Sequence, residues 1–111
     1  MASDVWISEA FEVDLRSILD YYCDELGMPS EGRRFMEEVD EAKELIAEVP
    51  FVHSVSSKAG LRERGCREHL IRGYTLIYRV GAENTVLFLR LLHQSQLASR
   101  QVIDWGFGVV E

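Results

Sequence analysis

The chain has 111 residues, of which 47% are hydrophobic and 28% charged, with 2 Pro and 8 Gly. This is one domain's worth of chain, apolar enough to bury a core, which excludes a generally disordered protein. No apolar run approaches the ~18 residues of a membrane span, the Met1-Ala2-Ser3-Asp4 start lacks the regions of a signal peptide, and a net charge of −7 argues against general nucleic-acid binding.

In chain order, Val5-Trp6-Ile7 reads as a short edge strand. Ser8 follows as a helix N-cap, with Glu9 and Glu12 favourable at the positive helix end. Apolar residues at Phe11, Leu15, Ile18, Tyr22 and Leu26 mark one face of this helix, and Gly27 stops it. After Met28-Pro29, Ser30 caps a second helix with the stripe Phe35, Val39, Ala42, Ile46 and Val49, ended by Pro50. So short a connection makes the two helices an antiparallel hairpin. Glu37, Glu38, Glu41, Glu44 and Glu48 lie on its outer, solvated faces.

Residues 51–67 lack periodicity and read as a basic, mobile loop or broken strand. Strands are expected at 69–72, 74–80 and 85–93, interrupted by Gly73 and a turn at 81–84. That turn pairs Val80 with Thr85, Tyr78 with Leu87, Leu76 with Leu89 and Tyr74 with Leu91, an apolar set facing the helices. Arg79, Ile77, Thr75, Val86, Phe88 and Arg90 fall on the other face, which is mixed and expected to be open. Residues 94–101 read as a helical turn or loop, and 102–107 as a final strand or a tail docked on the core. The expected fold class is α+β: a short N-terminal strand and an antiparallel helical hairpin packed on a small antiparallel β-sheet. All of 1–111 forms a single domain.

Charge is uneven along the chain. Residues 1–50 carry 4 basic and 14 acidic side chains, net −10, while 51–111 carry 8 and 5, net +3. Either two surfaces have different jobs, or the helices simply carry Glu and the strands do not. Cys23 and Cys66 show neither metal spacing nor a disulfide framework, so a reducing cytoplasm is the simplest location. Cys23 reads as core or half-buried. Cys66 also reads as structural, although neighbouring cations would lower its pKa. His53, His69 and His93 are scattered without ligand spacing, so no metal and no cofactor are expected. P-loop, dinucleotide, HExxH and nucleophile-elbow motifs are absent. His93, at a strand end, is the one residue placed like a general acid or base, though a lone His is more often structural. Arg62, Arg64, Arg67, Arg72, Arg79 and Arg90 cluster in sequence around one sheet. Their planar forks suit phosphate or carboxylate, unless they serve only solubility or hold an acidic partner segment.

The segments Val5-Trp6-Ile7-Ser8, Asp14-Leu15, Ile18 and Tyr21-Tyr22 resemble the opening of the RelE/ParE superfamily of bacterial toxins. The stronger likeness is Arg72-Gly73-Tyr74-Thr75-Leu76-Ile77-Tyr78-Arg79-Val80 followed by Val86-Leu87-Phe88-Leu89-Arg90-Leu91-Leu92-His93-Gln94. The resemblance runs from about Val5 to Gln96. One branch of that family cuts messenger RNA on the ribosome with basic residues on the open sheet face and near the C-terminus. The ParE-like branch, of plasmid-stabilisation type, inhibits DNA gyrase without that constellation. Here Thr75 stands where nucleases often carry arginine, and only His93 remains after the last strand, so the likeness leans to the ParE-like branch.

The resemblance therefore implies a toxin of a type II toxin–antitoxin system that binds DNA gyrase and is neutralised by a cognate antitoxin. Target contacts would come from Arg62, Arg64, Arg67, Arg72, Thr75, Arg79, Arg90, His93 and Gln94; the antitoxin's contact residues stay open. An alternative is a metal-independent, ribosome-dependent mRNA endoribonuclease, with His93 as acid or base and Arg90 and Arg79 holding phosphate. A further alternative is a non-toxic relative that acts only as a protein-binding module.

Overall fold

The computed structural model describes residues 4–97; the expectations for 98–107 lie outside them. Strand β1 (Val5–Ile7) leads into helix α1 (Glu9–Asp20) through Ser8. The Ser8 hydroxyl accepts the Phe11 N–H at 3.0 Å, as a cap should, and also donates to the Leu89 carbonyl at 2.6 Å. Its backbone N–H donates to the Phe88 carbonyl at 2.9 Å. Ser8 is thus a buried rivet between α1 and the sheet as well as a cap. Ser8→Ala is expected to cost about 2 kcal/mol, the upper end for a lost cap, because the buried Leu89 carbonyl also loses a donor. Urea unfolding measures it, and a cost within error of zero would refute the double role.

Helix α1 passes into a π-helical turn, Tyr21–Glu25, in which the Leu26 N–H reaches back to the Tyr21 carbonyl at 3.0 Å. The wider turn shifts the apolar stripe. Tyr22 still packs on Phe35, with ring centroids 5.7 Å apart, but Leu26 is left 44% exposed. Cys23 is exposed on the same turn, correcting its expected burial. Gly27 does stop the segment, at φ +61°.

Helix α2 (Pro29–Glu48) begins two residues earlier than a Ser30 cap would place it, and Ser30 is not its cap. Pro29 occupies the first turn, where its fixed φ and missing N–H cost nothing, and Met28 stands at the cap without a side-chain bond. Phe35, Val39, Ala42 and Ile46 are buried as the periodicity requires, whereas Val49, already outside the helix, is exposed. A Cβ at Gly32 would meet the Tyr22 Cβ at 3.3 Å, so this helical glycine lets α2 approach the π-turn.

Strands β2 (Cys66–Ile71), β3 (Tyr74–Val80) and β4 (Val86–His93) complete a sheet of order β1-β4-β3-β2, before a short α3 (Gln94–Leu97). β1 runs parallel to β4; the other pairs are antiparallel. β2 ends before Arg72, because Arg72 and Gly73 form a two-residue turn with φ 49° and 83°. Two positive φ values are the signature of a turn whose twist matches a hairpin.

The β3–β4 register differs from the expected one. The Gly81 N–H donates to the Thr85 carbonyl, so Thr85 belongs to the loop and Val80 pairs with Val86. A bulge beyond Tyr78–Phe88 then moves Ile77 opposite Arg90 and Tyr74 opposite His93. As a result Val86, Phe88 and Leu91, with Leu76 and Tyr78 of β3, meet the helices. Phe11 packs on Phe88 with centroids 6.0 Å apart, and Phe35 on Tyr74 at 5.3 Å.

The opposite face is not the open, mixed surface expected. It holds a second apolar cluster of Leu61, Cys66, Ile77, Leu87, Leu89 and Leu92. The 51–65 connector closes it, with Leu61 only 1% exposed. Val55 bridges to Arg67, the Ser56 N–H donates to the Cys66 carbonyl at 2.8 Å, and the Cys66 N–H to the Leu61 carbonyl at 2.9 Å. The buried Leu61 side chain and these bonds pin the connector at Val55, Ser56 and Leu61.

Candidate functional site

The expected contact residues are dispersed by the fold. Arg90 meets Asp14 of α1 in a bidentate pair, Nε to Oδ2 at 2.8 Å and Nη2 to Oδ1 at 3.0 Å, with both side chains about nine-tenths buried. The Leu91 N–H also donates to Asp14, at 2.9 Å. Arg72 is drawn to α2, where Nε meets both Glu38 oxygens at 3.0 and 3.1 Å and Nη1 meets Glu31 at 3.0 Å. Bonding to Glu38, then to Glu31, raises its pKa further above the ordinary arginine value. Arg67 donates to the His53 carbonyl and lies over the Phe51 ring, 4.9 Å from its centroid. Arg79 is half-buried on β3, while Arg62 and Arg64 are exposed on the connector.

His93 is exposed at the end of β4 and edge-on to Tyr74, with centroids 5.2 Å apart. Its Nδ1 accepts the Ser95 N–H at 3.1 Å and lies 2.8 Å from the Ser95 hydroxyl. That geometry caps α3 and directs a neutral ring's proton to Nε2.

Thr75 and Gln94 are brought together by a groove of about 720 Å³ beside β2, the sheet edge. Its other walls are His53 and Lys58 of the connector and Glu68, His69 and Leu70 of β2. Lys58 Nζ donates to Glu68 at 2.8 Å, and the Ser56 hydroxyl donates to the same carboxylate. This wall is therefore close to neutral. A smaller groove, about 300 Å³, runs on the other flank between β2 and α2, with Ala42, Leu45 and Leu70 below Glu38 and Glu41. Between the grooves, Leu70 is 62% exposed. An edge that the connector pairs only as far as Arg67, with shallow grooves on both flanks, suits an extended polypeptide more than a small reactant.

Two histidines that looked unrelated in sequence meet here. His53 Nε2 and His69 Nδ1 are 2.7 Å apart and share one hydrogen bond. Burial, and then the neighbouring His53, lower the pKa of His69. The unfolded chain therefore takes up a proton below about pH 6.5 that the folded chain resists. Stability is accordingly expected to fall as pH drops from that point, and His69→Gln should flatten this part of a urea-midpoint profile. An unchanged profile would refute the assignment. Among the described residues no group of three His, Cys, Asp or Glu side chains is placed to hold a metal ion.

Asp14, His53, Lys58 and Glu68 were not among the expected site residues. For Asp14 the signal was available: it stands three residues after Phe11 and four before Ile18, on the flank of the buried stripe. A carboxylate there must find a cation or lose its charge. The His53–His69 contact had no such signal, because it depends on the connector folding back at the Val55–Arg67 bridge.

Comparison with known proteins gives a consistent picture. A family model described as the ParE toxin of type II toxin–antitoxin system, parDE, matches residues 5–98. A structure of a chromosomal ParDE toxin–antitoxin system from P. aeruginosa aligns with a TM-score of 0.64 at 17% identity. That alignment covers 81% of this chain and 94% of the other, and it shows a shared fold. No curated protein sequence matches the chain.

Proposed function

Because the chain belongs to the ParE toxin family of type II toxin–antitoxin systems, we propose that it acts by binding DNA gyrase, cuts no bond, and is silenced by a cognate antitoxin. The Arg90–Asp14 pair carries this reading. A phosphate-holding arginine must present uncompensated charge where negative charge develops. Arg90 instead has its fork filled by a carboxylate and is buried against α1. Arg72 is similarly engaged by Glu31 and Glu38, and Nδ1 of His93 is taken up by α3. The set His93, Arg90 and Arg79 thus gives little support to RNA cleavage.

Target contact falls to the exposed part of the connector, with Arg62 and Arg64, and to Gln94 in the groove beside β2; Thr75, only 1% exposed, is withdrawn from the expected contact set. An antitoxin partner is supported by the ParDE origin of the structural neighbour. The net −10 of residues 1–50 favours an antitoxin segment with positive charge.

The test is a supercoiling assay with purified gyrase and, in parallel, labelled thymidine and methionine incorporation after induction of the protein alone. Loss of supercoiling and an early fall in thymidine incorporation are expected, with toxicity retained in His93→Ala. Methionine incorporation falling first, with site-specific cleavage of ribosome-bound mRNA, would overturn the reading in favour of the nuclease. Harmless expression with unaffected gyrase would overturn it in favour of a pure binding module.

A further inference from the structure

The first half of the connector is held on β2 mainly by polar contacts. Between Pro50 and Ser56 no side chain is buried, and Phe51, Val52 and Val55 are all exposed. The hold comes from the Val55–Arg67 bridge, the Ser56 bonds to Cys66 and Glu68, Arg67 on the His53 carbonyl, and the His53–His69 bond. The second half is anchored differently, by Leu61 in the apolar cluster. Of these contacts only the imidazole pair has an ordinary charge change between pH 5 and 8.

Whichever ring carries the shared proton, the neutral pair has one N–H and one lone pair between His53 Nε2 and His69 Nδ1, 2.7 Å apart. A first added proton can sit on an outer nitrogen, which leaves that bond intact and charge-assisted. A second fills the remaining inner lone pair. Two N–H groups and two positive charges then face each other. We propose that the two imidazoles form an acid-released latch, in which the second proton frees residues 51–56 from β2 while Leu61 keeps the rest of the connector in place. The surroundings favour release. Arg67 of β2 adds a third positive charge, bonded to the carbonyl of His53 itself. Tyr78 of β3 stands edge-on to His53, with centroids 6.4 Å apart, and brings no negative charge. Lys58 and Glu68, which share the larger groove with both histidines, are paired with each other. Glu38 and Glu41 of α2 line the smaller groove with His69. Glu38 is engaged by Arg72, and Glu41 is exposed to solvent, which screens its pull on the proton. Burial and then His53 oppose the charging of His69, so the second proton is taken up below the ordinary imidazole range. Release bares the β2 edge at Arg67 and returns its guanidinium to solvent.

The test is NMR on the full-length protein from about pH 8 to about pH 5, spanning the imidazole range. It follows the ring nitrogens and the exchange of the Ser56 amide, corrected for the intrinsic rate. That amide donates to the Cys66 carbonyl, so it reports the closed latch. Its protection is expected to fall by about tenfold per pH unit once His69 charges, while amides of β3 and β4 stay protected. His53→Gln and His69→Gln each keep a donor and an acceptor but take up no proton, so both should abolish the fall. Constant Ser56 protection while both rings titrate would overturn the inference. So would protection lost in step with the β3 and β4 amides, or a fall that persists in both variants.

Discussion

Asp14→Ala is expected to lower the free energy of unfolding by about 3–5 kcal/mol, the usual cost of removing one partner from a buried ion pair. The cost comes less from the lost attraction than from what remains. Arg90 would keep a full charge at 8% exposure without its carboxylate, and the Leu91 N–H would lose its acceptor. By contrast, the Lys43–Asp40 pair, at 3.5 Å on the surface of α2 with Asp40 half exposed, should contribute at most about 1 kcal/mol. The buried pair is not therefore a large net source of stability. Replacing both partners with apolar residues, as in Asp14→Leu with Arg90→Met, should recover most of the loss. Urea unfolding of the two single variants and the double variant forms the cycle that decides this. A cost under about 1 kcal/mol for Asp14→Ala would mean that Arg90 has solvent or another partner available. It would also return Arg90 to the set of residues able to meet a phosphate.

The same pair marks the limit of what could be read from the sequence. Local signals were reliable where one residue fixes one backbone feature. Ser8 capped α1, Gly27 stopped the first helical segment, and the Phe35–Val39–Ala42–Ile46 stripe was buried. Ser30 failed because Pro29, one position earlier, was already suited to the first helical turn. The β3–β4 register failed for a different reason. Its faces depend on whether Thr85 closes the loop and on a bulge, and a one-residue shift exchanges the two faces of a strand. With the faces exchanged, Phe88 and Val86 move to the main core, and Leu87 and Leu89 to the second one. The arginines clustered in sequence, but their carboxylates lay 34 to 76 residues away, on α1 and α2. Only the assembled layers bring such partners together. A list of cations in one segment therefore says what chemistry is possible, and the helices decide which cations are already committed.

Leu61→Ala should be the second large effect, about 2–5 kcal/mol for a fully buried leucine, with a local readout that the first lacks. Leu61 anchors the connector in the second apolar cluster, beside Cys66. Burial pushes the Cys66 thiol up to about 11, and the opposing influence of Arg79 and Arg64 is not enough to reverse this. In the parent protein a thiol reagent at neutral pH should therefore titrate Cys23 quickly, while Cys66 reacts only when the structure opens. A shortened side chain at position 61 leaves a cavity against Cys66 and weakens the hold on the connector. The connector has few other buried apolar contacts, so it should open ahead of the sheet. Cys66 labelling should then rise by more than the fall in global stability accounts for. If labelling instead tracks global unfolding measured in urea, the connector is part of the cooperative core. The distinction bears on function because Arg62 and Arg64 ride on this connector. If it opens alone, Leu61→Ala should weaken the proposed gyrase inhibition in a protein whose helical hairpin and sheet remain folded. Loss of the arginines' fixed position, without loss of the arginines, would then be enough to blunt the toxin.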